Sequence, residues 1–191
     1  MAPMTNSKLR TPAALYYFLA QSFRYPEQTW LCEPYFDLLN NIVQNLDLEN
    51  DALGLRQSYY ANKEGLEILQ IEHTRLFINA HPAVIAPPYS SVYLDQEGNL
   101  FGPSAVWVRK FYQQHGFELS GEGDIPDHLV LELDFIALLI DEGQDDEAEQ
   151  FLNEHFRKWF PFFKERVLNG STNKFYSTLL TLVDLFTREE P

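Results

Sequence analysis

Residues 129–140 read Leu-Val-Leu-Glu-Leu-Asp-Phe-Ile-Ala-Leu-Leu-Ile, and ten of these twelve side chains are apolar. A helix that is apolar on nearly every face belongs at the centre of a fold rather than along its surface. Glu132 nevertheless lies inside this run, one helical turn after His128, so both side chains leave the helix on the same face. Because a buried carboxylate is costly without partners, this segment is the first candidate for a functional site.

Elsewhere in the chain, apolar residues recur mostly at spacings of three and four, which indicates helices. The pattern predicts a first helix over 12–20, with Thr11 as its cap and Pro12 in the first turn, and a second over 27–46 with a kink at Pro34. Further helices are predicted over 50–61, 64–79 and 104–115, the last ended by Gly116. The apolar helix already described should end near 141, and three more should follow over 145–160, 161–168 and 171–188. Residues 80–103 are rich in proline and show no helical pattern, which is typical of a functional loop. The glycines at 121 and 123 predict a flexible joint over 120–124. We therefore expect an all-α, compact multi-helix bundle: one domain over 1–191, with possible lobes 1–119 and 125–191 hinged at 120–124.

Composition excludes several classes of protein. The chain has 28 acidic and 14 basic residues, a net charge of −14, which argues against a nucleic-acid partner and favours a cationic one. An acidic surface also serves solubility alone. No apolar run approaches the roughly 18 residues of a membrane span, and residues 1–8 lack the features of a secretory signal, so we expect a cytoplasmic protein without membrane insertion. A single cysteine, Cys32, excludes an internal disulfide framework and multi-cysteine metal sites.

Motifs for catalysis are missing. His128 and Glu132 have a spacing that can place two ligands on one ion, but the paired Glu-x-x-His of di-iron bundles and HExxH do not occur. Nor does the chain contain Gly-x-Ser-x-Gly, a Walker loop or GxGxxG. We therefore expect neither an enzyme nor a bound metal or cofactor. A metal- or nucleotide-dependent hydrolase that uses Asp127, His128 and Glu132 is the alternative.

Three segments resemble motifs of one known family, the TorD/DmsD/NarJ redox-enzyme maturation chaperones. Residues 124–135, Asp-Ile-Pro-Asp-His-Leu-Val-Leu-Glu-Leu-Asp-Phe, are similar to its "(E)PDHxxxEL" signature. Residues 87–94, Pro-Pro-Tyr-Ser-Ser-Val-Tyr-Leu, are similar to its "PYxSVYL" loop, and residues 72–77 to the end of one of its helices. The resemblance extends over nearly the whole chain in the right order.

The resemblance implies an all-helical cytoplasmic chaperone for a molybdopterin-containing oxidoreductase. Such a protein binds the twin-arginine signal peptide of its client, the apo-subunit, or both, and holds the client until the molybdenum cofactor is inserted and before export. It is a monomer or a domain-swapped dimer. An assembly factor for a membrane-bound, nitrate-reductase-like complex is an alternative within the same family.

A twin-arginine leader joins a basic stretch to an apolar one, so its receptor needs carboxylates beside an apolar groove. The residues that we expect to bind the leader or the client are acidic, motif or aromatic side chains: Asp124, Pro126, Asp127, His128, Glu132, Tyr89, Tyr93, Phe77, Trp107 and Tyr112. Glu132 has a competing role, which is to anchor His128 and fix the geometry of the joint. We expect His128 to be neutral, because the positive end of a helix dipole disfavours a charged imidazole.

Overall fold

The computed structural model describes residues 11–46, 52–61, 64–96, 98, 100–119, 121 and 123–189. Within these residues the helices are α1 (Pro12–Ser22), α2 (Glu33–Asn45), α3 (Ala52–Ala61), α4 (Gly65–His73), α5 (Ser91–Leu94), α6 (Pro103–Gln114), α7 (Leu129–Asp141), α8 (Asp145–Phe151), α9 (Arg157–Gly170) and α10 (Lys174–Thr187). Regular β structure is confined, over the same residues, to one antiparallel bridge between Tyr89 and His128. The predicted all-α fold is confirmed. Ser120 and Glu122 of the predicted joint lie outside the described residues, as do residues 1–8.

The first two helices each have a proline in the first turn. Thr11 caps α1, because its hydroxyl accepts a hydrogen bond from the backbone N–H of Ala14 at 3.3 Å, as the sequence predicts. The second helix differs from the prediction, which starts it at residue 27 and kinks it at Pro34. It begins at Glu33, with Pro34 in its first turn. Proline is tolerated there because backbone N–H groups in the first turn have no acceptor within the helix.

Two helices continue into a π-helical turn. The helix predicted over 64–79 is found over 65–78, where α4 (Gly65–His73) widens into a π-helical turn over Thr74–Ile78. A second such turn, Leu152–Phe156, joins α8 to α9. The predicted break at Pro161 is wrong, since α9 runs through it. A proline inside a helix leaves one carbonyl without its donor and crowds the preceding turn, and here the helix is already widened just before that turn.

The proline-rich region 80–103 is not without helix, contrary to the prediction. It contains the short helix α5, whose first backbone N–H, that of Ser91, donates to the Asp127 carboxylate at 2.7 Å. The stabilising group lies 36 residues away in the chain. A local pattern in the sequence does not carry this signal.

The core surrounds α7. Leu129, Leu133, Ile136 and Leu139 are fully buried, and α1 lies along α7 as its most extensive packing partner. One hydrophobic cluster includes residues from α1 to α10, on both sides of positions 120–124. The apolar run at 129–140 therefore sits at the centre of the fold, as expected. Across the described part of the chain, no helix combines the length and the apolar character that a membrane crossing needs.

Candidate functional site

A hollow of about 850 Å³ opens beside the N-terminus of α7, and we call it the α7 hollow. Four segments form its wall: the end of α1 with the loop that follows, the end of α4 with its π-helical turn, the pair Pro88–Tyr89, and residues 123–131. Its volume falls in the upper part of the range of small-ligand sites, about 300–1,000 Å³. It is the candidate functional site.

Backbone pairing brings two of the sequence motifs together at this hollow. The N–H of Ser90 donates to the carbonyl of Asp127 at 3.0 Å, and the N–H of Leu129 donates to the carbonyl of Pro88 at 2.8 Å. These bonds flank the bridge between Tyr89 and His128. The loop motif and the helix-start motif therefore form one structural unit.

His128 caps α7 and faces the hollow. Its Nδ1 accepts a hydrogen bond from the backbone N–H of Val130 at 3.2 Å, which requires an unprotonated nitrogen. Burial lowers the pKa of His128 to about 4, against a weaker opposing effect of Asp127. The ring of Tyr89 meets it edge to face at 4.9 Å. The imidazole is therefore neutral at pH 7, as the sequence predicts.

His73 supplies a second imidazole to the lining. Its Nδ1 lies 3.0 Å from the hydroxyl of Tyr176, and the rings of Tyr25 and Phe77 pack edge to face against it. Burial, with a contribution from nearby His128, lowers the pKa of His73 to about 4. Both imidazoles of the hollow are thus uncharged at neutral pH and do not repel a cation.

The rim of the hollow is acidic. Asp124 is exposed, and within the described residues its carboxylate accepts one hydrogen bond, from the backbone N–H of Gly121 at 3.2 Å. Glu27 is also exposed and accepts from the hydroxyl of Thr29 at 3.1 Å. Arg24, the one arginine of the lining, pairs with Asp134 at 2.6 Å. The hollow therefore combines an aromatic wall with two carboxylates that no side-chain cation within the described residues neutralises.

Asp127 does not reach this surface. Its side chain is fully buried, and its Oδ2 accepts from the N–H of Ser91 at 2.7 Å and from the hydroxyl of Ser90 at 3.2 Å. Among the described residues its other oxygen has no partner. The expectation that Asp127 offers its carboxylate to a ligand does not fit this position. The carboxylate is buried, and its hydrogen bonds hold α5 against the start of α7.

Glu132 is fully buried as well. One carboxylate oxygen lies 2.8 Å from Nε2 of His155, and the other accepts from the indole N–H of Trp159 at 2.9 Å. Burial raises the pKa of Glu132, whereas His155 and Trp159 oppose that rise. The alternative that Glu132 anchors His128 is therefore corrected: its side chain ties α7 to the α8–α9 region, since the bundle packs that face of α7 against those helices.

The structure separates the remaining predicted site residues. Phe77 and Tyr89 line the α7 hollow with Asp124 and His128. Pro126, Tyr93, Trp107 and Tyr112 do not belong to its lining. Tyr112 is buried, and its hydroxyl donates to the carbonyl of Pro126 at 2.9 Å. This bond ties α6 to the segment that leads into α7, next to the hollow.

The other two aromatic residues pack against the partners of Glu132. Tyr93 stacks on Trp159 with ring centroids 5.7 Å apart, and its hydroxyl donates to the carbonyl of Pro87 at 2.9 Å. Trp107 stacks on His155 with ring centroids 5.1 Å apart. Both rings therefore stiffen the buried layer around Glu132 instead of lining the hollow.

A family model described as "Nitrate reductase delta subunit" matches residues 43–165. The chain belongs to this family. The predicted family resemblance is confirmed, because the matched region includes all three of the motifs that carry it.

Curated relatives in this group are chaperones by name. The chain is 34% identical over 112 residues to "Tat proofreading chaperone DmsD" of Salmonella typhi, which covers 58% of this chain and 54% of that protein. It is 37% identical over 97 residues to "Probable Tat proofreading chaperone DmsD" of Haemophilus influenzae, covering 50% and 47%. It is 28% identical over 165 residues to "Chaperone protein TorD" of Aliivibrio fischeri, covering 78% and 76%. The chain thus spans about half the length of the two DmsD relatives.

One solved structure shares the fold. A putative redox enzyme maturation protein from Archaeoglobus fulgidus superposes with a TM-score of 0.60 and covers 93% of this chain and 94% of its own. Its sequence identity of 24% supports the fold alone.

Within this family fold, the residues of the hydrolase alternative do not form one site. Asp127 and Glu132 are buried and bonded to different partners, and only His128 of the three lines the hollow. In the described part of the chain, no group of three or more His, Cys, Asp or Glu side chains is placed to hold a metal ion. The geometry gives this alternative no support.

Sequence reasoning missed most of the wall, because only Phe77, Tyr89, Asp124 and His128 of its lining were predicted site residues. Tyr25, Glu27 and Trp30 come from the loop after α1, which was interpreted only as a helix end and the start of the next helix. His73 lies within a quoted motif but was not chosen as a site residue. The available signal was the segment 23–30, which contains three aromatic residues and Glu27.

Proposed function

We propose that this chain is a cytoplasmic chaperone, without catalytic activity, for the maturation of a molybdopterin-containing oxidoreductase. It binds the twin-arginine signal peptide of that client in the α7 hollow and holds the client until its cofactor is inserted. The observation that carries the proposal is the aromatic hollow with an acidic, unneutralised rim at the motif that defines the family. The chaperone names of the relatives support it.

The chemistry of the hollow fits that of a leader. Carboxylates bind guanidinium groups in charge-assisted hydrogen bonds, and aromatic faces stack on them. Asp124 and Glu27 supply the carboxylates, and Tyr25, Trp30 and Tyr89 supply rings. Phe77 and Ile78 add apolar surface for the part of the leader that follows the arginines.

The net charge of the whole molecule also favours a cationic peptide. A net charge of −14 attracts a cationic peptide over distances longer than any contact. The attraction between exposed charges is screened within about 8 Å at physiological ionic strength, so added salt weakens binding.

Calorimetry with a synthetic twin-arginine leader tests the proposal. We expect binding in the micromolar range or tighter, and weaker binding when lysines replace the arginines, because an ammonium does not form the bidentate contact. Asp124→Ala and Glu27→Ala should each weaken binding about fivefold, the equivalent of roughly 1 kcal/mol for an exposed ion pair. Asp146→Ala, an exposed acid on α8, is the matched control and should change nothing.

If neither matched leaders nor an intact client bind, the proposal fails. If the leader binds equally well to the wild-type chain and to a Glu27→Ala/Asp124→Ala double variant, the chaperone role survives but the α7 hollow is not its site.

The assembly-factor alternative has one observation in its favour, which is the family description "Nitrate reductase delta subunit". A factor of that kind acts on the mature subunit instead of the leader. Binding of a client subunit expressed without its leader distinguishes an assembly factor from a leader receptor. Undiminished binding of that subunit favours the assembly factor, whereas lost binding favours the leader receptor.

A further inference from the structure

A second surface, outside the α7 hollow, carries an unusual combination of residues. We define the α6 patch as Leu100, Phe101, Val106, Arg109 and Lys110. The three apolar side chains are 44%, 62% and 49% exposed. Val106, Arg109 and Lys110 lie on one face of α6, at spacings of three and four. The patch therefore combines an exposed apolar loop just before α6 with two cations that share a face of α6 with Val106.

The backbone holds this tip in a costly conformation. Phe101 has a φ of 63°, a region that bulky residues rarely occupy. Asp95 fixes the loop, because its carboxylate accepts from the N–H of Ser104 at 3.2 Å and from its hydroxyl at 2.6 Å. Strain of this kind persists only where the surroundings enforce it, and it gathers at functional positions. Here it turns the most exposed large apolar side chain of the described residues towards solvent.

The two cations of the patch are available. Most arginines of the described chain have carboxylate partners, as Arg24, Arg56, Arg75 and Arg157 do. Over the same residues, neither Arg109 nor Lys110 forms an ion pair, and both are exposed. In a molecule of net charge −14, the patch therefore offers two unpaired cations beside exposed Val106 on α6.

We propose that the α6 patch of one copy docks into the α7 hollow of a second copy. The two surfaces are complementary in charge and in polarity. The patch carries two cations and three exposed apolar side chains, and the hollow has two carboxylates, Asp124 and Glu27, around an aromatic cavity. The patch does not line the hollow of its own chain, so the docking that we propose is between two molecules. A reciprocal arrangement closes a two-fold dimer.

The proposal deepens the proposed function in one respect. The patch presents the same pairing of basic and apolar groups as the leader, so the two compete for one site. Self-association then covers the apolar hollow while no leader is bound, and the leader releases the monomer. This competition rests on the proposed function, whereas the self-association itself does not.

Sedimentation velocity of the chain, over a range of concentrations, tests the association. We expect a reversible, salt-sensitive increase in mass with concentration. Arg109→Glu/Lys110→Glu should remain monomeric over that range. Lys158→Glu/Arg188→Glu changes the net charge by the same amount at two exposed cations elsewhere, and should associate like the wild type. Association of the patch variant at wild-type strength overturns the proposal.

Charge reversal on the other side locates the partner surface. Glu27→Lys/Asp124→Lys should also be monomeric alone. An equimolar mixture with Arg109→Glu/Lys110→Glu should associate, because both interfaces of the mixed dimer then bring opposite charges together: one is reversed on both sides and the other is native on both sides. If each variant is monomeric and the mixture is too, the patch and the hollow are not partners.

Phe101→Gly guards against a folding artefact. Glycine adopts a positive φ without strain, so this variant should melt no lower than the wild type and yet lose the association. A variant that keeps the association overturns the role given to Phe101.

Titration with the leader peptide separates the two proposals. Under both, the leader dissociates the dimer and binds the monomeric patch variant at least as tightly as the wild type. A leader that binds without dissociating the dimer overturns the shared site and leaves the proposed function standing. A leader that binds no variant, while the charge-reversal mixture associates, overturns the proposed function alone.

Discussion

At the scale of single residues, burial decides which motif carboxylates can meet a ligand. Asp124, Asp127 and Glu132 lie within nine positions of one another, yet only Asp124 is exposed. Asp127 and Glu132 are enclosed with specific donors. Of these three acids, Asp124 therefore faces the hollow, whereas Asp127 and Glu132 hold helices together.

Replacement of Glu132 should destabilise the fold. Glu132→Ala leaves Trp159 and His155 buried without their acceptor, and removal of one partner of a buried pair costs about 3–5 kcal/mol. Glu132→Gln keeps one acceptor oxygen and should cost less. Urea unfolding measures both. Leader binding to Glu132→Gln should equal that of the wild type, and a loss of binding with unchanged stability would show that Glu132 contacts the ligand after all.

Asp127 and Asp124 should separate stability from binding. Asp127→Ala removes the acceptor for the N–H of Ser91 and the hydroxyl of Ser90, which costs about 2–3 kcal/mol. Asp124→Ala, at an exposed position, should change the free energy of unfolding by less than about 0.5 kcal/mol. Chemical denaturation of the two variants side by side checks this difference. Equal destabilisation by both would contradict the assignment of separate roles.

At the scale of elements, an irregular turn at the end of α4 shapes the wall of the hollow. The π-helical turn at Thr74–Ile78 ends α4 where His73 and Phe77 enter the wall of the hollow. Such turns are frequent at functional sites. The wall of the hollow thus depends on a departure from regular helix geometry that hydrophobic spacing did not predict.

The junction of α3 and α4 tolerates only glycine at position 65. A Cβ on Gly65 would lie 2.2 Å from the backbone oxygen of Tyr59, so the two helices would have to move apart. We expect Gly65→Ala to lower the free energy of unfolding by about 1–3 kcal/mol, the range for overpacking, which outweighs the gain of up to about 1 kcal/mol in helix propensity. Differential scanning calorimetry measures the loss. Gly123→Ala is the control, since a Cβ there meets nothing within 4 Å. An unchanged melting temperature for Gly65→Ala would mean that the helices do not approach this closely.

At the scale of the whole molecule, the two neutral histidines make stability depend on pH. The pKa values of His73 and His128 are about 4 in the folded protein, lowered mainly by burial, and about 6.5 in an unfolded chain. Between these values the unfolded chain binds more protons. Stability is therefore complete above about pH 6.5 and is lost as the pH falls towards 4.

A single substitution isolates one of these contributions. Between pH 7 and pH 5, His73 should account for about 2 kcal/mol of lost stability, and His73→Asn should reduce the slope accordingly. The pKa of Glu132, raised by burial, acts with the opposite sign but equally in both proteins. Urea unfolding at several pH values measures the slopes. Identical slopes for the two proteins would show that His73 titrates normally in the fold.

The sequence alone determined the helical class, the central position of α7, the caps at Thr11 and Gly116 and the family. Each of these follows from local information: an apolar run, a capping residue, a left-handed glycine with φ of 83°, or a motif in order. The kink predicted at Pro34 and the break predicted at Pro161 were wrong, because the effect of a proline depends on the turn around it: Pro34 lies in the first turn of α2, and α9 runs through Pro161.

Only the tertiary structure decided which side chains face the hollow. Tyr25, His73 and His128 come from three distant parts of the chain, and their meeting depends on how α1, α4 and α7 pack. Which acid is buried depends in the same way on donors far along the chain, such as Ser91 for Asp127 and Trp159 for Glu132. A motif names the residues, but exposure is a property of the packed bundle, because it is the neighbouring helices that remove a side chain from water.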